Sequence, residues 1–311
     1  MTGGGAWPAG AVPGTRKGAA GPAAEDLLAI AAGAARKAAV LLASGQTGER
    51  PEVVATKSSP TDVVTEMDRR AEALITGLIR DVRPGDVILG EEAGETRGSP
   101  RPAGTAGGAS AAPVRWIVDP LDGTVNYLYG LPDWAVSIAA ETGGTIVAGV
   151  VDIPMRGEVF TAALGQGAWL RGLPVPGGSA GGRPPVRLHC TRDVALGQAL
   201  VATGFGYEAG RRRVQGEVAS ALLPQIRDIR RGGSAAVDLC QVAAGRMDAF
   251  YERGLNYWDY AAGALIAREA GARVTGLGGR PPGPAMVIAA GPALHAQLTG
   301  VLTRLRPERD A

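Results

Sequence analysis

Apolar positions recur at helical spacing in two stretches of the first third of the chain. Between Thr65 and Val82 they are Met67, Ala71, Leu74, Ile75, Leu78, Ile79 and Val82, which predicts an amphipathic helix. An Ala/Leu-rich stretch from Ala23 to about Ser44 predicts another. Thr65 followed three residues on by Asp68 resembles a capping box with Asp in place of Glu.

The pattern then shortens to strand length. Val87-Ile88-Leu89 reads as a short buried strand ending at Gly90-Glu91-Glu92, and residues 94–113 read as a loop. Val114 to Asp119 reads as a strand stopped by Pro120, because proline cannot continue a central strand. Ala135–Glu141 and Ile146–Asp152 flank Gly143-Gly144, a hairpin signal, and 158–163 and 168–171 suggest more sheet. A Pro/Gly-rich connection at 173–185 marks a sub-domain seam. Beyond it, strands at 199–202, 247–251, 272–275 and 286–289 are interleaved with helices at 211–224, 234–245, 258–270 and 292–305. The whole reads as a mixed α/β (α+β) chain, antiparallel early and alternating late. Residues 1–22 read as a disordered Gly/Ala/Pro tail. Residues 23–305 read as the domain, in an N-terminal half to about 172 and a C-terminal half from about 186.

Composition narrows the chemistry. The 311 residues include only two His and two Cys, whose spacing fits no zinc-finger pattern. With 32 Lys+Arg against 30 Asp+Glu, the net charge of +2 argues against a dedicated nucleic-acid binder. No uncharged apolar run reaches the ~18–20 residues of a membrane span, and no secretory signal opens the chain, so a cytoplasmic protein is expected. P-loop, dinucleotide-binding and nucleophile-elbow motifs are missing. Carboxylates with a hard metal ion are the natural remaining chemistry.

The most informative segment is Asp119-Pro120-Leu121-Asp122-Gly123-Thr124. Asp119 is expected at a strand end, and a turn would bring Asp122 onto the same metal centre. Gly123 and Thr124 could open a helix whose free N–H groups hold a phosphate. The bland alternative is an Asx-turn at Asp119 and a helix cap at Asp122. Glu91 and Glu92 follow a buried strand, where one acid could bind metal while the other orients water; a merely solvated strand end is the alternative. Asp259 heads an apolar helix, where favourable charge–dipole placement would explain it equally. The bland readings weaken together, because Asp68, Glu91, Glu92, Asp119, Asp122 and Asp259 all fall at element ends.

These residues sit in motifs that resemble the inositol monophosphatase family, most like its bacterial inositol-1-monophosphatase branch. The resemblance runs from Lys57-Ser-Ser-Pro-Thr-Asp-Val-Val-Thr-Glu-Met-Asp68 through Gly90-Glu-Glu92 and Trp116-Ile-Val-Asp-Pro-Leu-Asp-Gly-Thr-Val-Asn126. It continues through Val201–Tyr207, Gly233-Ser-Ala-Ala236, Asp248–Glu252 and Trp258-Asp-Tyr-Ala-Ala-Gly263. It implies a five-layer αβαβα sandwich of the sugar-phosphatase type, a homodimer, and a lithium-sensitive, Mg2+-dependent hydrolase of a small phosphate monoester. It also implies roles. Glu91, Asp119 and the Leu121 carbonyl would hold one Mg2+, and Asp119, Asp122 and Asp259 a second. Asp68 and Thr124 would orient the attacking water, with Glu92 in support. The Gly123 and Thr124 amides would hold phosphate. The Ala235 amide and Glu252, with Asp122, would meet substrate hydroxyls. Tyr129 and Val125 depart from the family's usual His and Thr at non-ligand positions. Histidinol phosphate or another sugar or nucleotide phosphate is the alternative substrate, and a regulatory binding protein keeping the fold is the alternative of another class.

Overall fold

The computed structural model describes residues 23–46, 53–56, 63–99, 113–172 and 184–309. The expected tail 1–22, most of the expected loop 94–113 and of the 173–185 connection, and the motif residues 57–62 lie outside these.

The chain opens with helix α1 (Ala24–Gly45), the short pair β1 (Val53–Thr56) and β2 (Val63–Thr65), and helix α2 (Glu66–Val82). An eight-stranded sheet follows: β3 (Val87–Gly90), β4 (Gly94–Arg97), β5 (Arg115–Asp122), β6 (Ala135–Thr142), β7 (Thr145–Ile153), β8 (Glu158–Ala163), β9 (Ala168–Gly172) and β10 (Val186–Arg187). The five-residue helix α3 (Thr124–Leu128) leaves β5. The second half holds β11 (Leu200–Thr203), α4 (Ala209–Leu222), β12 (Asp228–Arg230), α5 (Ala235–Ala243) and β13 (Ala249–Glu252). It ends with α6 (Tyr257–Glu269), β14 (Arg273–Thr275), β15 (Val287–Ala290) and α7 (Pro292–Leu305).

The large sheet runs β10-β9-β8-β7-β6-β5-β3-β4 and is antiparallel except where β3 meets β5. The small sheet runs β12-β11-β13-β15-β14; β11 is parallel to both its neighbours, and β15 is antiparallel to both of its own. Side-chain parity builds the layers, since successive residues of a strand face opposite ways. Trp116 and Val118 of β5, with Val136 and Ile138 of β6, pack under α1 and α2, while Ile117 and Ala139 turn to α5 and α6. In the small sheet Ala202, Phe250 and Val287 face α5 and α6, and Val201, Ala249 and Ile288 face α4 and α7. The result is the αβαβα sandwich that the motifs imply, with α5 and α6 as its shared middle layer.

That middle layer is thin because its residues are small. Gly149 of β7 would drive a Cβ to 3.1 Å of the Ala262 Cα, so α6 lies directly on the strand there. Helix α1 is long and apolar enough to cross a membrane by length and composition alone. Its Leu27, Ala31, Ala34, Ala35, Ala38, Ala39 and Leu42 are instead buried against α2 and the large sheet.

Two local expectations are corrected. Residues 94–97 are not loop but the edge strand β4, paired with β3. β5 does not stop at Pro120 but runs on to Asp122, with an irregularity in its pairing to β6.

Candidate active site

That irregularity builds the site. Asp119 pairs with Ser137 and Asp122 with Ala135, so three steps along β5 match two along β6. In a regular strand residues three apart face opposite sides. The extra residue is a bulge, which restores parity, turns both carboxylates to one cleft and tolerates a proline without its N–H. The Asx-turn alternative also holds for Asp119, whose Oδ1 accepts the Leu121 N–H at 3.1 Å. Asp122 is not the cap of α3. That place belongs to Gly123, at φ 95°, where a Cβ would also lie 3.0 Å from the Asp133 carbonyl.

Asp68 and Asp259 reach the site by one device used twice. Each is the third residue of its helix and accepts the N–H of the residue before that helix: Thr65 to Asp68 at 2.9 Å, Asn256 to Asp259 at 2.6 Å. The capping box expected at Thr65 is therefore present, and it leaves the second Asp68 oxygen free to accept the Thr124 hydroxyl at 3.0 Å. The Thr124 hydroxyl is also 3.1 Å from the Leu121 carbonyl.

Asp122 joins the two halves of the molecule. Its Oδ2 accepts the Ser234 hydroxyl at 2.6 Å and the Ala236 N–H at 2.7 Å, at the start of α5. Neither contact was expected from the sequence. Ser234 stands in the Gly233-Ser-Ala-Ala236 motif, but its partner lies 112 residues away. Asn126 reinforces the joint by donating to the carbonyls of Asp133 and Gly232.

These groups wall a cleft of about 640 Å3 lined by Glu91, Asp119, Leu121, Asp122, Gly123, Thr124, Ala235, Glu252 and Asp259. Every expected metal and substrate position is therefore on one cavity. Asp68 and Glu92 are not among the residues that line it; Asp68 is joined to it through Thr124. The cleft also takes in Arg211, Arg231 and Asn256, which the sequence reading did not single out.

The electrostatics follow from crowding acids in a buried place. Burial, then the charges of Glu91, Asp122 and Asp259, hold Asp119 well above the usual carboxylate range. Burial, then Glu91 and Asp122, do the same to Asp259. Burial pushes Asp122 up to about 6, against the lowering effects of Ser234, Ala236 and Arg231. Burial with Asp238 and Asp122 pushes Glu252 up to about 8, opposed by Arg231. Asp68 is raised by burial, although Thr65 and Thr124 favour its charged form. A carboxylate cluster whose members resist ionisation together is one that a cation would relieve.

A family model described as the inositol monophosphatase family matches residues 23–308. The chain belongs to the inositol monophosphatase family. It is therefore a phosphomonoesterase, and the fold and the family resemblance read from its motifs both stand. It is 45% identical over 287 residues to an inositol-1-monophosphatase of Mycobacterium bovis, spanning 90% of this chain and 92% of that one. It is 41% identical over 251 residues to the Nus factor SuhB of Escherichia coli K12, spanning 80% and 84%. Among solved structures, Mycobacterium tuberculosis SuhB superposes with a TM-score of 0.72 at 39% identity, covering 92% of this chain and 98% of that one. Thermotoga maritima IMPase superposes at 0.74 and 28% identity, covering 92% and 100%.

The donor set of this family member suits a hard divalent cation. It offers carboxylate and carbonyl oxygens and neither thiolate nor imidazole, the preference of Mg2+. Among the described residues no three acidic, His or Cys side chains already enclose one ion-sized point, and Asp122 has turned Oδ2 to Ser234 and Ala236. Asp122 nevertheless lines the cleft together with Asp119, Asp259 and Glu91.

Proposed function

We propose that this chain is an Mg2+-dependent inositol-1-monophosphatase, hydrolysing an inositol phosphate to inositol and phosphate. The observation that carries the reading is the β5 bulge, which faces Asp119 and Asp122 into one cleft with Glu91, Asp259 and Thr124. The names of the mycobacterial relatives support the substrate. Glu91, Asp119, the Leu121 carbonyl, Asp122 and Asp259 would hold Mg2+. When bound, Mg2+ supplies positive charge that activates a water and stabilises the leaving alkoxide.

The chain's own groups do the rest. Thr124 gives its hydroxyl proton to Asp68, so its oxygen lone pairs are the ones left to orient a water in the cleft. Asp68 is itself fixed by Thr65, which locks the Thr124 rotamer, and Glu92 adds its charge beside Asp68. Gly123 and Thr124 form the first turn of α3, where N–H groups lack partners within the helix and would hold phosphate oxygens. The Ala235 amide, at the start of α5, and Glu252 would take substrate hydroxyls on the far wall. Gly204 makes room for Glu252, since a Cβ there would overlap its carboxylate. A carboxyl group at this position suits sugar hydroxyls better than a second phosphate, which favours monophosphates over bisphosphates. The same membership supports a lithium-sensitive, cytoplasmic homodimer whose residues 23–305 act as one unit.

The test is phosphate release from a panel of inositol 1-phosphate, histidinol phosphate, fructose 1,6-bisphosphate and a 3′-phosphorylated adenosine nucleotide, with and without Mg2+. Inositol 1-phosphate should give the highest kcat/KM, and only with the ion. A better substrate among the others would replace the substrate assignment. The relatives named Nus factor favour a second, non-catalytic role as the alternative. Rescue of a deletion phenotype by folded, inactive Asp119→Asn would establish that role.

A further inference from the structure

Glu72 has no part in the chemistry described above, yet it is a carboxylate only 4% exposed. It lies one helical turn after Asp68 on α2. Its Oε2 accepts the Glu92 N–H and its Oε1 the Ala93 N–H, both at 2.8 Å. One buried carboxylate thus grips two consecutive amides of the turn that follows β3. Charge-assisted bonds of this kind are about twice as strong as neutral ones. Gly90 makes the grip possible: a Cβ there would stand 2.5–2.6 Å from the carboxylate atoms of Glu72. Gly90 is not among the positive-φ residues, so space and not backbone conformation demands glycine.

Residues four apart share a helix face, so α2 presents two acids side by side. Asp68 holds the Thr124 hydroxyl, and Glu72 holds the turn that carries Glu91 and Glu92. The same turn is tied to β5 only one residue from Asp119, through the Glu91 N–H to the Val118 carbonyl at 3.2 Å. Glu91 is pressed against the like charges of Asp119 and Asp259. A turn under that repulsion needs a brace.

We propose that Glu72 is a positioning residue that braces the 91–93 turn and thereby sets the chain's affinity for Mg2+. The proposal rests on the reading that Glu91 holds Mg2+. Removing the grip lets Glu91 relax away from Asp119 and weakens the site without touching any group that meets substrate.

The experiment measures Mg2+ binding to the full chain by titration calorimetry, the Mg2+-induced rise in Tm, and the Mg2+ dependence of phosphate release. Glu72→Gln keeps the size but turns an NH2 group toward one of the two N–H donors. Its Mg2+ dissociation constant should rise about 10- to 100-fold, with most of the wild-type kcat recovered at saturating Mg2+ and substrate KM unchanged. Gly90→Ala, which displaces the carboxylate while leaving Glu72 in place, should do the same. The double variant should be no worse than either single one, because both break one contact. Glu269→Gln is the matched control. Glu269 grips the N–H groups of Gly165 and Gly167 at 2.9 and 2.7 Å in the same way, outside the residues that line the cleft, and its loss should lower Tm but not Mg2+ affinity. Wild-type Mg2+ affinity in folded Glu72→Gln or Gly90→Ala, or equal weakening by Glu269→Gln, overturns the proposal alone. A wild-type chain that binds no Mg2+ overturns the function reading with it. If Glu72→Gln does not fold, Gly90→Ala carries the test.

Discussion

Asp119 and Asp122 stand three residues apart on one strand and face the same cleft, because β5 carries one residue more than β6 between their partners Ser137 and Ala135. Parity, not proximity, is what the bulge supplies.

Asp119→Asn keeps an oxygen for the Leu121 N–H but removes the most crowded charge. We expect kcat/KM to fall about 1,000-fold, roughly 4 kcal/mol of transition-state stabilisation. Without Mg2+ at pH 8 the variant should melt above the wild type, because an acid held above its ordinary pKa costs stability once pH forces it to ionise. Added Mg2+ should then raise its Tm far less than it raises that of the wild type. Calorimetric scans with and without the ion check both statements.

The Thr124 side chain is expected to act through its hydroxyl alone, the backbone amide being kept in every variant. Thr124→Ser should keep activity within a few-fold, and Thr124→Ala should lose about 100-fold in kcat with substrate KM nearly unchanged. Steady-state kinetics on the two variants decide this. A Thr124→Ser variant as poor as Thr124→Ala would mean that the methyl group matters instead.

Ser234→Ala removes a donor that favours the charged form of Asp122. The Asp122 pKa, already at about 6, should rise further, so ionisation comes later on the pH scale. The acid limb of the kcat/KM profile should move to higher pH, and weaker Mg2+ activation should accompany it at pH 6.5. An unmoved limb would show that Asp122 is not the group titrating there.

Asp152 does not line the cleft; it is buried in β7, 3.7 Å from the Arg36 guanidinium. Burial pushes it up to about 7, against the lowering effect of Arg36. Its folded pKa is above its unfolded one, so the folded state binds the extra proton between about pH 4 and 7. Stability from this group is full below that window and falls as pH rises through it. Asp152→Asn should therefore be about neutral at pH 4.5 and stabilising at pH 8, by on the order of 4 kcal/mol at most. Urea unfolding at the two pH values measures the difference.

What the sequence made legible was local. The Thr65–Asp68 cap needs only four residues, and the Gly143-Gly144 hairpin only its flanking alternation, so both could be read directly. The bulge could not, because it exists only in the pairing of β5 with β6, and Pro120 locally argues for a strand end. β4 was missed because Gly94-Glu-Thr-Arg97 has no apolar alternation, and its strand character comes from β3. Ser234 and Glu72 were missed for the same kind of reason. Their partners lie 112 and 20 residues away, and neither residue type advertises a partner. The acid cluster itself was legible because its members fall at predicted element ends, although Asp119 lies inside β5 and shares the cleft with Asp122 only through the bulge.

Asp122 fastens the large sheet to the start of α5 with one oxygen and also lines the cleft. Whatever occupies the cleft against that carboxylate is therefore coupled to how tightly the two halves of the molecule are clasped. Ligand affinity in this cleft doubles as a gauge of the seam: a substitution that loosens α5 from β5 will register first as a change in the occupant's grip, well before the fold gives way.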